Sequence, residues 1–253
     1  MKYFAKIKYL GTGFHGFQVQ PNKRTVQGEL SSSFERAFGR AVKITGCSRT
    51  DSRVHANEFC ITVEAEGLSV PPEKLPLAMA EFLPEDICLF FAKECDCDFH
   101  PRYDAVGKEY VYRILNSKVC DPFEVNRAWF LPRTITDDGL ERMRCAACHL
   151  LGEHDFSSFM SSGSDVEDTV RCVEYIDISR NGDIIEFRIC ANGFLYNMVR
   201  IIVGTLAEVA FGRFSPDDMK VVIDAKNRNR AGMTAPPDGL YLNCVNYKFP
   251  IIP

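Results

Sequence analysis

Arg180-Asn181-Gly182 separates two strand-like stretches, 170–178 and 183–191. Asn-Gly between such runs is a strong short-range signal for a hairpin, because both residues tolerate the positive φ that a tight turn needs. A hairpin makes its two strands antiparallel, which already points away from an all-parallel sheet. Around it, strand and helix periods alternate. Lys6-Ile7-Lys8-Tyr9 reads as the end of a first strand, and Val26, Leu30, Phe34, Ala37 and Phe38 predict a helix over 26–40. Strands follow near 42–47 and 58–65, then a Pro-bounded helical stretch over 73–83 and a strand over 87–92. In the second half, 108–115 reads as a strand and 137–151 as a helix. An apolar helix over 194–210, a shorter one over 216–225 and a strand over 240–248 complete the pattern. The class is α+β with antiparallel or mixed sheets. The Asp- and Cys-rich stretch 94–106 is the candidate joint between two α+β halves, 1–104 and 105–253.

No apolar run approaches the roughly 18 residues of a spanning helix, so no membrane segment is expected. The start, Met1-Lys2-Tyr3-Phe4-Ala5-Lys6, alternates charge with apolar residues rather than building a signal peptide, and a cytoplasmic location is expected. Net charge is −4, which does not advertise a polyanion partner. Binding of nucleic acid depends on a local basic face, however, and the 30 basic residues include 18 arginines. Of the eleven cysteines, Cys60, Cys88, Cys190 and Cys244 fall in apolar patterns and read as reduced core thiols.

Two motif matches mislead. Gly11-Thr12-Gly13-Phe14-His15-Gly16 fits a dinucleotide fingerprint after a strand. That fingerprint works only if a helix starts in the loop and aims its N-terminus at a pyrophosphate, and here the helix arrives ten residues late. Cys145-Ala146-Ala147-Cys148-His149 matches a haem-attachment pattern but sits inside an amphipathic helix, with only His154 near enough to extend it to a metal site. No cofactor and no metal are expected from either.

The densest polar cluster is Ser48-Arg49-Thr50-Asp51-Ser52-Arg53-Val54-His55, a loop between two apolar strands. Cations around Asp51 would hold its carboxyl ionised, which suits a nucleophile or base; a solvated, salt-bridged loop has the same composition. Arg200 is the only charge in the apolar run 194–203, so a buried guanidinium there needs a partner, and Asp51 is a candidate. A purely structural pair reads the same way. In a strand over Lys108–Arg113, Tyr110 and Tyr112 share a face that can stack on a base or pack in a core.

At these residues the chain resembles the TruA-type tRNA pseudouridine synthases. Phe14–Gln20 is similar to the family's N-terminal turn, Thr25–Leu30 to its first helix and Ser48–Ala56 to its G-R-T-D-A-G-V-H-A catalytic loop. Phe99–Tyr103 with Tyr110, Leu151–Phe159, Asn197–Arg200 and Gly239–Leu242 resemble four later blocks in the same order. The resemblance implies that Asp51 is the catalytic carboxylate and that Arg49 helps extrude the target uridine. It implies that Tyr110 stacks on the flipped base, Arg200 pairs with Asp51 and Leu240 lines the pocket. It further implies isomerisation of uridine to pseudouridine at positions 38 to 40 of the tRNA anticodon arm, without a cofactor. The implied fold is two α+β subdomains joined through a mixed, mainly antiparallel sheet with the cleft between them, assembled as a homodimer.

The sequence departs from that pattern where Arg53 replaces a glycine two residues after the aspartate. If the position requires positive φ, Arg53 is strained; if not, it adds a cation beside Asp51. Either way it is a candidate phosphate contact. Ser48 for glycine and Phe17 for tryptophan are milder changes. Two other classes compete: a non-catalytic RNA-binding relative with a disabled loop, and an unrelated nucleotide- or metal-binding enzyme using 11–16 or 145–149. Asp51, Tyr110 and Arg200 occurring together favour the isomerase.

Overall fold

The computed structural model describes residues 1–65, 70–163 and 166–248. The chain forms two compact units, Met1–Val106 with the segment from Tyr241 onward, and Gly107–Leu240. The sequence places the division at 104/105 and the last strand in the second half; that strand instead belongs to the first unit.

The first unit contains β1 (Lys2–Tyr9), α1 (Val26–Phe38), β2 (Lys43–Gly46), β3 (His55–Glu64), α2 (Leu75–Met79) and β4 (Ile87–Glu94). The second contains β5 (Ala105–Leu115, whose first two residues precede the boundary), β6 (Trp129–Phe130), α3 (Asp137–Cys148), β7 (Gly152–Asp155), β8 (Val170–Asn181), β9 (Ile184–Ala191), α4 (Met198–Ala210) and α5 (Asp218–Asp224). The chain then returns to the first unit as β10 (Leu240–Tyr247, whose first residue precedes the boundary).

In the first unit the strand order is β4-β1-β3-β10, with β2 also on β3. β1 runs antiparallel to both β3 and β4, whereas β10 runs parallel to β3, pairing Tyr241 with His55 and Leu242 with Ala56. α1 begins where Thr25 accepts a hydrogen bond from the Gly28 amide at 3.3 Å, a cap that typically stabilises by about 1 kcal/mol. It ends at Gly39 in the left-handed region (φ 66°), and its Val26, Leu30 and Phe34 are fully buried. The helical stretch expected over 73–83 is only one short turn of 3₁₀ helix leading into α2, with Pro76 at its start.

In the second unit the order is β5-β9-β8-β7, all antiparallel, with β6 parallel to the end of β5. The hairpin is present, one residue on from the expected turn. Asn181 pairs with Ile184, so Gly182 and Asp183 form the loop, and only Gly182 has positive φ (58°). One positive φ at the first loop position is what a type II′ turn needs, so Asn181 stays in the strand. α4 is buried on most sides, as its composition predicts, but starts at Met198 rather than 194 because Asn197 is left-handed (φ 62°). Gly139 of α3 lies so close to α4 that an added Cβ would stand 3.1 Å from the Ala210 carbonyl.

Cys60 and Cys190 are buried as expected, but Cys244 is half-buried and Cys88 is exposed. Cys88 points outward from β4, the edge strand, between inward Ile87 and Leu89. Cys145 and Cys148 are exposed on α3, and His149 lies 3.4 Å from the Asp217 carboxylate. Among the described residues no group of three His, Cys, Asp or Glu is placed to hold a metal, and no helix is long and apolar enough to cross a membrane.

Asp155, at the end of β7, accepts hydrogen bonds from the Thr169 hydroxyl at 2.6 Å and the Ser157 amide at 3.0 Å, and pairs with Lys226 at 3.1 Å. These donors, Thr169 foremost, hold its carboxyl well below the ordinary range. A depressed carboxylate contributes stability above the unfolded pKa of roughly 3.9, and that stability is lost as pH falls below it. Asp155→Asn is therefore expected to lower stability at neutral pH and to flatten its decline below about pH 4. Urea midpoints of both proteins across that range check this; parallel curves would contradict it.

Candidate active site

Asp51 sits in the loop 47–54, between β2 and β3, and this loop is held from both sides. Its entrance is tied by the Cys47 amide on the Cys60 carbonyl at 2.9 Å, continuing the β2–β3 ladder. Thr50 is buried; its hydroxyl lies 2.7 Å from the Tyr9 hydroxyl, and its carbonyl accepts the Phe17 amide at 3.2 Å. Beyond Asp51, the Phe14 carbonyl accepts both the Arg53 amide and the Ser52 hydroxyl, each at 3.2 Å. The Val54 amide closes a turn onto the Asp51 carbonyl at 3.2 Å. Asp51 itself is half-buried, flanked by exposed Arg49, Ser52 and Arg53. Asp51 is thus partly open to solvent while its backbone is fixed.

The partner surface for this loop is the glycine segment 11–16. A Cβ on Gly11 would stand 2.0 Å from the Val54 carbonyl oxygen, and one on Gly16 (φ 86°) 2.6 Å from that of Thr50. The glycines permit close approach of backbone, as in a nucleotide cradle, but what approaches is this chain's own loop. Arg24 steadies the segment, lying over the Phe14 ring at 4.2 Å while binding Asp86 through two nitrogens at 2.7 and 3.0 Å.

His55 is wholly buried, and its Nδ1 accepts the Gly11 amide at 2.9 Å. An accepting Nδ1 carries no proton, so the ring is neutral and contributes no positive charge to Asp51, unlike the cation the sequence suggests. The ring stacks on Tyr241, centroids 4.5 Å apart.

Arg53 resolves the question its sequence raises: φ is 69°, the left-handed region that a glycine would occupy without strain. The larger side chain is therefore carried at a backbone cost.

Arg49, Asp51 and Arg53 thus lie together in the first unit, while Tyr110, Arg200 and Leu240 lie in the second. Tyr110 is 8% exposed on β5, with the Phe194 ring edge-on at 5.0 Å. Tyr112, on the same face, is fully buried and donates to the Pro236 carbonyl at 2.7 Å; burial pushes its phenol up while nearby Arg200 pulls the other way. Arg200 is half-buried at the start of α4. Its Nε donates to the Ala235 carbonyl at 2.7 Å and its Nη1 to Asn197 Oδ1 at 2.6 Å, and the Arg200 carbonyl accepts the Ala235 amide at 3.1 Å. Two of its nitrogens therefore serve neutral oxygens, which charge reasoning does not anticipate. Leu240 is buried directly after Gly239, where a Cβ would meet the Tyr112 ring at 2.8 Å and the Arg113 carbonyl at 2.6 Å. The site residues missed by sequence reasoning are Gly11, Gly16, Tyr9 and Tyr241, whose roles exist only through contacts distant in the chain.

A carboxylate on a clamped loop, with exposed arginines around it, suits covalent or electrostatic work on an anionic polymer. The family profile for tRNA pseudouridine synthase matches residues 5–104 and 146–248. A tRNA pseudouridine synthase A of Halalkalibacterium halodurans is 44% identical over 236 residues, covering 93% of this chain and 88% of that protein. One of Thermoanaerobacter sp. is 43% identical over 241 residues (95% and 97%), and one of Bacillus velezensis 43% over 250 residues (98% and 99%). Among solved structures, a Cbf5-Nop10-Gar1 complex is similar at TM-score 0.38 and 14% identity, over 81% of this chain and 44% of that one. The chain belongs to the tRNA pseudouridine synthase family, enzymes that isomerise uridine in tRNA.

Proposed function

We propose that this enzyme converts uridine to pseudouridine at positions 38, 39 and 40 of the tRNA anticodon arm, with Asp51 as its catalytic carboxylate. The observation that carries this is the Asp51 loop, fixed by backbone contacts on both sides while Asp51 itself is only half-buried. The reaction breaks the bond from the sugar to N1, turns the base and joins the sugar to C5. The C5 proton is lost and N1 gains one, so atoms balance without a cofactor. Asp51 serves as the nucleophile that holds the detached sugar carbon. The base must first leave the stack, at a cost of a few kcal/mol that stacking and arginine contacts offset. Arg49 helps to extrude it, Tyr110 stacks on it, Leu240 lines its pocket, and Arg200 pairs with Asp51. The working form is a cytoplasmic homodimer.

The test uses unmodified tRNA transcripts with uridine at 38, 39 or 40, or cytidine at all three. Pseudouridine confined to those uridines supports the reading. Binding without product would identify a non-catalytic relative, and product elsewhere in the tRNA would overturn the positions.

Arg53 is assigned to a backbone phosphate of the bound RNA, the gain that offsets its left-handed strain. Arg53→Gly is expected to raise stability by about 1 kcal/mol by relieving that strain. It is also expected to weaken tRNA binding and reduce the slope of log affinity against log salt by about one contact. Unchanged affinity and slope would remove Arg53 from the RNA interface.

A further inference from the structure

We propose that His55 is a positioning residue for this isomerisation, its neutral imidazole acting as the latch that holds the Asp51 loop on the 11–16 turn. This rests on Asp51 being the catalytic carboxylate. The imidazole is wholly buried in the first unit, where an apolar ring of similar size would fill the same space. What the imidazole adds is an acceptor: Nδ1 takes the Gly11 amide at 2.9 Å. Gly11 is itself buried, at the start of a 3₁₀ turn that leaves its N–H without a partner inside the turn. Removing the acceptor would strand a buried donor.

Three observations connect that hydrogen bond to Asp51. Gly11 presses on the loop's exit, within 2.0 Å of the Val54 oxygen for a notional Cβ, so movement of either segment moves the other. The Val54 amide bonds to the Asp51 carbonyl at 3.2 Å, tying the exit to the residue that carries the carboxylate. Between them Arg53 is held at φ 69°, a conformation that persists in a non-glycine residue only where its surroundings over-determine it. The Tyr241 ring, stacked at 4.5 Å and 21° on the imidazole, fixes the plane in which Nδ1 faces Gly11.

His55→Leu removes the acceptor and keeps an apolar filler, while His55→Asn retains an acceptor oxygen at similar reach. With unmodified tRNA transcript and equal folded concentrations, His55→Leu is expected to lower kcat about 100-fold with KM within about twofold, and His55→Asn to recover most of the loss. Amide hydrogen exchange should be faster at Gly11 and over 51–54 in His55→Leu, but not in His55→Asn. Equal losses in both variants, a wild-type kcat in His55→Leu, or unchanged Gly11 exchange there would each overturn the latch. Should His55→Leu fail to fold, ¹⁵N spectra of wild-type His55 decide: an unprotonated Nδ1 coupled to the Gly11 N–H is expected, and a protonated one refutes it. Exchange and spectra do not depend on Asp51. Activity persisting in Asp51→Asn would therefore defeat the catalytic reading alone, and unchanged exchange would defeat the latch alone.

Discussion

Asp51→Asn is expected to abolish pseudouridine formation, lowering kcat by about 10⁴-fold or more, as removal of a nucleophile does in other covalent catalysts. The substitution preserves shape and volume, so the effect is chemical. The loop around Asp51 is held by the Cys47, Thr50, Ser52, Arg53 and Val54 contacts, which do not use the Asp51 side chain. The variant should keep these loop contacts and bind tRNA within about twofold of wild type, because only a step after binding is lost, while losing the stability that the proposed pairing with Arg200 contributes. Single-turnover product analysis beside filter binding of the same transcript measures both. Retention of about a tenth of wild-type activity would show that Asp51 is not the group that reacts.

Gly11→Ala should be the most damaging single-methyl change in the first unit. The new Cβ would stand 2.0 Å from Val54 O, 2.5 Å from Val54 C and 2.8 Å from Arg53 C. All three are backbone atoms, so no side-chain rotation relieves the overlap. Overpacking usually costs 1–3 kcal/mol, and this site belongs at or above the upper end, about 3 kcal/mol. The loop exit must shift, so activity should fall sharply even well below the melting temperature. Gly39→Ala is the control: φ there is 66° but nothing lies within 4 Å, leaving only backbone strain of about 1 kcal/mol and normal activity. Thermal melts and turnover of both variants check the contrast. A Gly11→Ala protein as stable as Gly39→Ala would show that the two segments separate easily.

The contrast also separates what the sequence makes legible from what only the folded chain defines. Local period placed α1, β2, β5, α3, β9 and β10 within a few residues, because the apolar spacing that buries one face is written in consecutive residues. The cluster around Asp51 was visible for the same reason. Hydropathy could not reveal Asn197 in the left-handed region, which delays α4 to Met198 despite the apolar lead-in. The glycines of 11–16 were conspicuous, but their spacing does not say which backbone comes close; the answer lies at Thr50 and Val54. His55 looked like one more cation near Asp51, and only the Gly11 amide identifies its neutral tautomer. The parallel pairing of β10 with β3 carries no local signal.

That pairing has a consequence for how the protein is made. β2 covers the second edge of β3 only at Ile61–Glu64, leaving the end beside the Asp51 loop to β10. The ribosome must add all of Gly107–Leu240 before Tyr241 emerges, on the order of ten seconds at usual elongation rates. Throughout that interval the nascent first unit holds β3 with an uncovered edge at His55 and no ring to stack on the imidazole. β3 is thus completed only after the whole of the second unit has been made, and a chain cut short within β10 loses the floor of a loop almost two hundred residues earlier.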